Sequence, residues 1–515
     1  MEQLPLDIEN SIISKFDTYT KEQVVTQYRL VERELRLAVK EIYKLKQQSV
    51  TETQLSLFMS EHIADLEEVV FSKSSEKYKK SEKPKDEKKP SLPRVRKPSE
   101  RYPNLPVREV TVRAPHLPNC DCCGSLMSES GLTEESEQIN VIPKKFEIIR
   151  QQLVKYNCGS CHGHMVTAPA PVRIMEGSSY SDEMIIDVAL SKHCDLIPME
   201  RYTAMAAREG VIGLPANSLI ECSHYLSNFV IGGFQRLKQE QLSESYLNFD
   251  ETPHHMLEQH GDKSWYLWGF SSKKGVVFEC HNTRSADVSS EILKYSNCKV
   301  IMSDAYTGYG KSVDDVNKIR VIEGQPLIAQ ALCNVHARRN FFKRRAQPEA
   351  QKFLDEYAEI YRINSDCKDK LPEEVFLLRQ EMRPHFEKMK EMAKDQINKY
   401  SEKSKMYKAM NYYLSHYEGL TYCLKDPLVP LDNNTMESLL RNPVIGRKTW
   451  LGTHSERGAQ TQVILFSLVQ SCKLIKVNPR EYFPFLVRAI KNKQIPLTPY
   501  EYQQSQIKID QTQIN

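Results

Sequence analysis

Between residues 245 and 336 the apolar residues fall in short runs broken by turn formers, a spacing too tight for long helices. The runs predict strands over 245–250, 264–270 and 275–280, a helix over 289–295, and strands over 298–304 and 329–336. A meander of three strands followed by strand-helix-strand units is a mixed α/β pattern, and such a sheet needs helices to cover it. Two of the runs end in aspartate. Ser245-Tyr-Leu-Asn-Phe-Asp250 leads into the turn-like Glu251-Thr252-Pro253, and Cys298-Lys-Val-Ile-Met-Ser-Asp304 leads into Ala305-Tyr-Thr-Gly308-Tyr309. A third acid, Glu437, lies in Asn433-Asn434-Thr-Met-Glu437-Ser-Leu-Leu-Arg441, which reads as a helix start capped by an asparagine side chain.

Two strand-end aspartates and a helical glutamate make a carboxylate set suited to Mg²⁺, a hard cation that takes oxygen ligands and keeps part of its water shell. Two such ions about 3.5–4 Å apart hold the attacking and leaving oxygens of an in-line phosphoryl displacement. Each acid also has a plainer use. A strand-end aspartate more often caps a turn, and Glu437 has the spacing to reach back to the backbone of Asn434 as the acceptor of a capping box. Taken one at a time, the plainer uses are the better reading.

A chain of 515 residues exceeds what one core accommodates, so several domains are expected. It is 27% charged and has no run approaching the roughly 20 apolar residues of a membrane span, which argues against a membrane protein. Met1-Glu-Gln-Leu-Pro-Leu-Asp7 lacks the basic-then-apolar order of a secretory signal, so a cytoplasmic protein is expected. Net charge is only +4, yet the basic residues are clustered, which matters more for polyanion binding than the total.

Residues 1–72 are expected to be helical. Val24, Tyr28, Val31, Leu35, Ala38, Ile42 and Leu45 form an a/d seam, which either pairs two chains as a coiled coil or folds back on a second helix over 54–71. Residues 73–106, rich in Lys, Glu, Ser and Pro, carry too little apolar surface to fold and read as a disordered basic linker.

Thirteen cysteines in a long intracellular chain point to thiols and a metal site rather than disulfides. Two Cys-x-x-Cys knuckles, Cys120 with Cys123 and Cys158 with Cys161, have the spacing of a structural Zn²⁺ site within residues 107–175; between them a strand-like stretch runs over 146–156. Cys122 is a surplus thiol, and His162 or His164 are alternative ligands. Residues 176–240 read as helices over 182–192, 199–209 and 217–229, with Asn217 as a cap. They form either a helix-turn-helix that enters a major groove or a plain packing unit.

Several words of the chain resemble those of the bacterial insertion-sequence sixty-six class of DDE transposases, the TnpC type. They are Asp250-Glu-Thr-Pro253, Ser303-Asp-Ala-Tyr-Thr-Gly-Tyr309, Cys333-Asn-Val-His-Ala-Arg-Arg-Asn-Phe341, and Asn433-Asn-Thr-Met-Glu437 running into Gly446-Arg-Lys-Thr-Trp450. The match extends over nearly the whole chain. It departs from the family pattern at Ala305, where glycine is usual, and around Met436-Glu437-Ser438, without removing a ligand.

The resemblance implies that Asp250, Asp304 and Glu437 are the catalytic triad, binding two Mg²⁺ ions with Mn²⁺ as a substitute. It implies a multidomain α/β chain with a ribonuclease H-like core over 241–460. In that fold the first and fourth strands are parallel neighbours, which sets Asp250 beside Asp304. A charged helical insertion over 342–422 precedes Glu437, and a helical region follows over 461–515. The resemblance further implies that His336 lies near the scissile phosphate. Arg338, Arg339, Lys343, Arg441, Arg447 and Lys448 are expected to contact DNA phosphates. Cys333 and His336 alone cannot close a tetrahedral metal site. Trp450 either stacks on an unpaired base or packs in the core.

The implied reaction is cleavage at the ends of a mobile element and strand transfer into target DNA. Implied partners are the element's terminal repeats, target DNA, further copies of the chain and accessory proteins of the same element. The alternatives are a non-catalytic zinc-containing DNA-binding relative and a ribonuclease H-like nuclease that only cleaves.

Overall fold

The structure, a computed structural model, describes residues 97–102, 105–111, 113, 122, 125, 136–140, 144–157, 165–258, 264–345 and 347–514. The heptad segment, most of the linker, and Cys120, Cys123, Cys158 and Cys161 lie outside the described residues; Cys122 is an exposed free thiol. The chain divides into two compact units, Lys73–Ile149 and one that includes Arg150–Asn515. In the first, a single helical turn, Pro98–Arg101, starts on proline, and both the backbone N–H and the hydroxyl of Ser99 donate to Glu137 at 2.8 Å. The stretch read as linker up to residue 106 therefore includes a fixed turn.

The extended stretch expected over 146–156 is shorter in the structure. Only β1, Lys155–Asn157, finds a partner, pairing antiparallel with β2, Met165–Thr167, and all six side chains are exposed.

Four helices follow: α1, Asp182–His193; α2, Met199–Arg208; α3, Ala216–Phe229; and α4, Ile231–Leu242. Ser181 caps α1 by accepting from Met184 N. Asn217, expected as a cap, instead lies inside α3, where Pro215 stands at the N-cap position without a side-chain bond. The exposed strip of α3 is Asn217, Tyr225 and Asn228, and the helix contains neither Lys nor Arg. It offers no cationic face to a phosphate backbone.

The sheet comprises β3, Tyr246–His254; β4, Trp265–Ser271; β5, Val276–His281; β6, Val300–Ser303; and β7, Ala329–Leu332, in the order β5-β4-β3-β6-β7. The pairs β3/β4 and β4/β5 are antiparallel, whereas β3/β6 and β6/β7 are parallel. Helices α5, Ala286–Lys294, and α6, Thr307–Glu323, form the crossovers that parallel pairing requires.

Two strand ends differ from expectation. β3 does not turn after Asp250 but continues to His254, because β4 keeps pairing from Asp250 opposite Gly269 to His254 opposite Trp265. β6 pairs only as far as Asn248, so Pro253, which lacks an N–H, lies where one side of β3 is open. β7 stops at Leu332, and His336 lies on the first turn of α7, Asn334–Phe342. The amide of Asn334 donates to the carbonyls of Leu420 and Leu431 at 2.9 and 3.0 Å, which anchors that turn to a later segment.

Residues 342–422 form a helical subassembly: α8, Pro348–Asp366; α9, Pro372–Gln380; α10, Arg383–Ile397; and α11, Lys405–Ser415. It has its own core, in which Phe341 stacks on Phe353 at 4.2 Å and Tyr357, Phe386, Met389 and Tyr413 fill the remainder. Buried Arg379 donates to the carbonyls of Cys423, Asp426, Pro427 and Val429, fixing the chain that leads out of it.

That chain enters α12, Asn434–Trp450, and continues through α13, Glu456–Leu474; α14, Pro479–Lys491; and α15, Pro499–Ile514. α13 is buried along nearly its whole length. It lies against edge strand β5, where Ser467 Oγ accepts from Phe278 N and Ser471 Oγ accepts from Val276 N, both at 2.9 Å. Two serines thus satisfy backbone donors that an edge strand leaves open. Among the described residues, no helix is long and apolar enough to cross a membrane.

Candidate active site

Both ends of α12 are tied to β3. At its start, Asn433 Nδ2 donates to Phe249 O at 2.8 Å, and Asn433 N donates to Cys333 Sγ at 3.3 Å. Past its end, Thr453 N donates to His255 O at 3.0 Å, Leu257 N donates to Thr453 O at 2.8 Å, and the His254 ring bonds the Thr453 hydroxyl at 2.8 Å. Gly452 makes this return possible: its φ is +110°, and a Cβ there would lie 2.3 Å from His255 O. The expected asparagine cap is not formed, since Asn433 bonds Phe249; Asp432 takes the role, accepting from Asn434 N at 3.1 Å. Glu437 therefore stands in the first turn of a helix pinned beside Asp250.

The face that carries Asp250 accommodates this packing. Asp250 pairs with Gly269, and a Cβ at Gly269 would lie 2.2 Å from Met436 Cε, so the residue before Glu437 occupies the space that glycine leaves. Asp304 follows β6 directly, and its Oδ1 accepts from Tyr306 N at 3.0 Å. The Asp250 carboxyl is pushed up to about 8, first by burial and then by the charges of Glu251, Glu437 and Asp304, against the opposing bond from Glu251 N. Glu437 Oε1 is closed off from solvent and has no hydrogen-bond partner. Hard oxygen donors, mutual repulsion and an orphaned carboxylate oxygen all fit a divalent cation of the Mg²⁺ type.

His336 Nδ1 lies 3.9 Å from Glu437 Oε1, and it too is shut from solvent without a partner. Donor atoms of Cys333, His336 and Glu437 all lie within 4.8 Å of one another. The Cys-x-x-His pair thus has a third neighbour that only the fold supplies.

Sequence reasoning missed Glu251. Alternation along β3 turns it to the face opposite Asp250, where it is buried, accepts from Tyr309 Oη and pairs with Arg284 at 2.5 Å. Arg284 lies 4.2 Å over the Tyr306 ring, and Tyr306 Oη donates to Arg284 O at 2.8 Å. This brace holds the loop after Asp304. The available signal was an acid directly after a candidate ligand on an alternating strand.

The basic residues divide into two groups. Arg441 and Lys448 are exposed; eleven residues after Glu437, Lys448 falls only about 20° round the helix from it. Arg447 faces elsewhere. It is half-buried with Nη1 shut from solvent, and its charge together with burial holds His254 down at about 4, with burial the larger cause. On α7 and its cap, Lys343 is exposed, Arg339 is half-buried, and Arg338 lies over Phe342 at 5.4 Å. Trp450 packs over Gly446, with the Lys192 ammonium 5.3 Å from its ring, which favours the core reading.

A family model described as Transposase IS66 family matches residues 177–461, and one described as zinc-finger binding domain of transposase IS66 matches residues 118–162. The first spans the sheet, the insertion and all of α12, more than half of the chain. The match places the chain among the transposases, a protein class that moves segments of DNA. Within that class, the chain belongs to the IS66 family. The zinc-finger match encloses Cys120, Cys123, Cys158 and Cys161, in keeping with structural zinc in that module.

Its relatives include the Uncharacterized protein y4hP of Sinorhizobium fredii (strain NBRC 101917 / NGR234), 24% identical over 442 residues that cover 80% of this chain and 77% of the relative. Another, the Uncharacterized protein y4jD of the same organism, is 26% identical over 391 residues that cover 73% of this chain and 75% of the relative.

Proposed function

We propose that this chain is a DDE transposase with a ribonuclease H-like core, cleaving DNA at the ends of its element and joining those ends to target DNA. The observation that carries the reading is the double attachment of α12 to β3, which holds Glu437 beside Asp250 while parallel pairing of β3 with β6 brings in Asp304. The strand order and directions described above support the ribonuclease H-like assignment.

Asp250, Asp304 and Glu437 would hold two Mg²⁺ ions, or Mn²⁺, which supply activation of a water or a 3′-hydroxyl and stabilisation of the leaving oxygen. The residues themselves do the positioning. The three carboxylates concentrate negative charge at one end of the sheet, and the Glu251–Arg284–Tyr306 brace keeps the Asp304 loop from shifting. Arg441 and Lys448 carry cationic groups along the exposed strip of α12, Arg339 and Lys343 do so at α7 and its cap, and the His336 ring offers nitrogen atoms nearby, an arrangement suited to phosphate oxygens. The Cys120, Cys123, Cys158 and Cys161 module binds structural Zn²⁺ and takes part in recognising element ends, and the heptad segment joins copies of the chain.

The test is strand transfer by purified protein with Mg²⁺ and labelled DNA carrying the element's own ends, wild type against Glu437→Gln. Joined product from wild type and none from the variant, with end binding equal, is the expected result. Equal product from both forms removes Glu437 from the site.

A further inference from the structure

The Cys333–His336–Glu437 group is not required by a carboxylate mechanism, yet its construction is specific. Cys333 is the N-cap residue of α7, His336 sits on that helix's first turn, and Glu437 sits on the first turn of α12. The two helix starts are locked together by the bond from Asn433 N to Cys333 Sγ and the bond from Asn334 N to Leu431 O at 3.2 Å. Their mutual position is thus set by the fold.

His336 Nδ1 and Glu437 Oε1 are both shut from solvent and both lack a partner, at a separation of 3.9 Å. That is too long for a hydrogen bond. It is about half an ångström longer than the roughly 3.3–3.4 Å between a nitrogen and an oxygen that share one tetrahedral ion with bonds of about 2.0–2.1 Å, a gap that small side-chain rotations close. A thiol, an imidazole and a carboxylate are also a donor set that Mg²⁺ does not select, because sulfur prefers softer metals.

We propose that Cys333, His336 and Glu437 form a second metal site, for a borderline-soft divalent cation of the Zn²⁺ type. Binding releases the Cys333 thiol proton to water as the thiolate–metal bond forms, with no change in oxidation state. Because Glu437 belongs to both donor sets, an ion held here draws that carboxylate from Asp250 and Asp304. The site is therefore inhibitory. This consequence, though not the site itself, rests on the transposase reading.

The full chain, with its cysteine module loaded with zinc and excess metal removed, is titrated with Co²⁺, whose tetrahedral thiolate complexes absorb visibly. Wild type should take up one further equivalent with a new absorption band, whereas Cys333→Ser should show none while remaining folded by circular dichroism. Zinc added to wild type should then abolish Mg²⁺-dependent strand transfer, reversibly on chelation, and whatever activity Cys333→Ser shows without zinc should be unchanged by the same zinc. No additional band in wild type, or equal uptake by both forms, overturns the site. Zinc inhibition of equal extent in both forms overturns the inhibitory role. Extra uptake confined to wild type, with no strand transfer by any form even without zinc, upholds the site and sinks the proposed strand-transfer activity.

Discussion

At Asp250 the cost of building the site is visible in a single carboxyl group. Burial, with Glu251, Glu437 and Asp304 nearby, moves it from 3.8 to about 8, so the folded chain binds its proton more tightly than the unfolded chain does. A group raised in this way favours the fold below about pH 4, and that contribution is lost as pH rises towards 8. Metal-free wild type should accordingly lose melting temperature relative to Asp250→Asn between those pH values. Mg²⁺ at pH 8 should restore the wild type and leave the variant unmoved. Thermal scans across that range check both; parallel pH profiles for the two proteins would mean that Asp250 is not held under this strain. The acid types were legible because carboxylates at the ends of apolar runs are chemically conspicuous. The brace that Glu251 forms with Arg284, and the nearness of Glu437 to Cys333 and His336, were not, since neighbours far away in sequence leave no local mark.

Among the elements, α12 matters most because its attachments decide where Glu437 points. Asn433→Ala removes the donor to Phe249 O and leaves a buried carbonyl without a partner, at a cost of about 1–3 kcal/mol. Urea denaturation should register that loss. Strand transfer should fall by more than the unfolded fraction explains, since the first turn of α12 loses its tie to β3 and keeps only the backbone bond to Cys333, while Thr453 still holds the far end. Normal activity per folded molecule would show that this tie does not position Glu437.

The same element explains why the local reading went astray at asparagine. Asn433 has the right identity for a cap, but its partner is a strand carbonyl 184 residues away, and Asp432 caps instead. β3 overran its expected end for a similar reason. Pro253 signals a turn locally, yet continued pairing with β4 and an open opposite side keep it in the strand.

Over the whole molecule, the exposed cations of α12 give the proposed DNA-binding role a measurable form. Replacing both Arg441 and Lys448 with Gln should weaken binding to any duplex and reduce the slope of log affinity against log salt by about 0.9 for each phosphate no longer neutralised. Arg447→Gln, whose Nη1 is shut from solvent, should leave that slope unchanged. Titrations over a range of salt decide this; no change in the double variant would move the DNA path off this face. The sequence by itself determined the order of the five strands, the two runs that carry Asp250 and Asp304, the helical glutamate and the paired cysteine knuckles, because periodicity, turn chemistry and ligand type are local properties. Only the tertiary structure decided that α13 seals the β5 edge through Ser467 and Ser471, that Arg447 turns inward while Lys448 faces out, and that Glu437 stands between two possible donor sets. Those outcomes depend on which distant backbone groups are left open and on which side chains lose water, and both are settled only when the sheet and its covering helices close on one another.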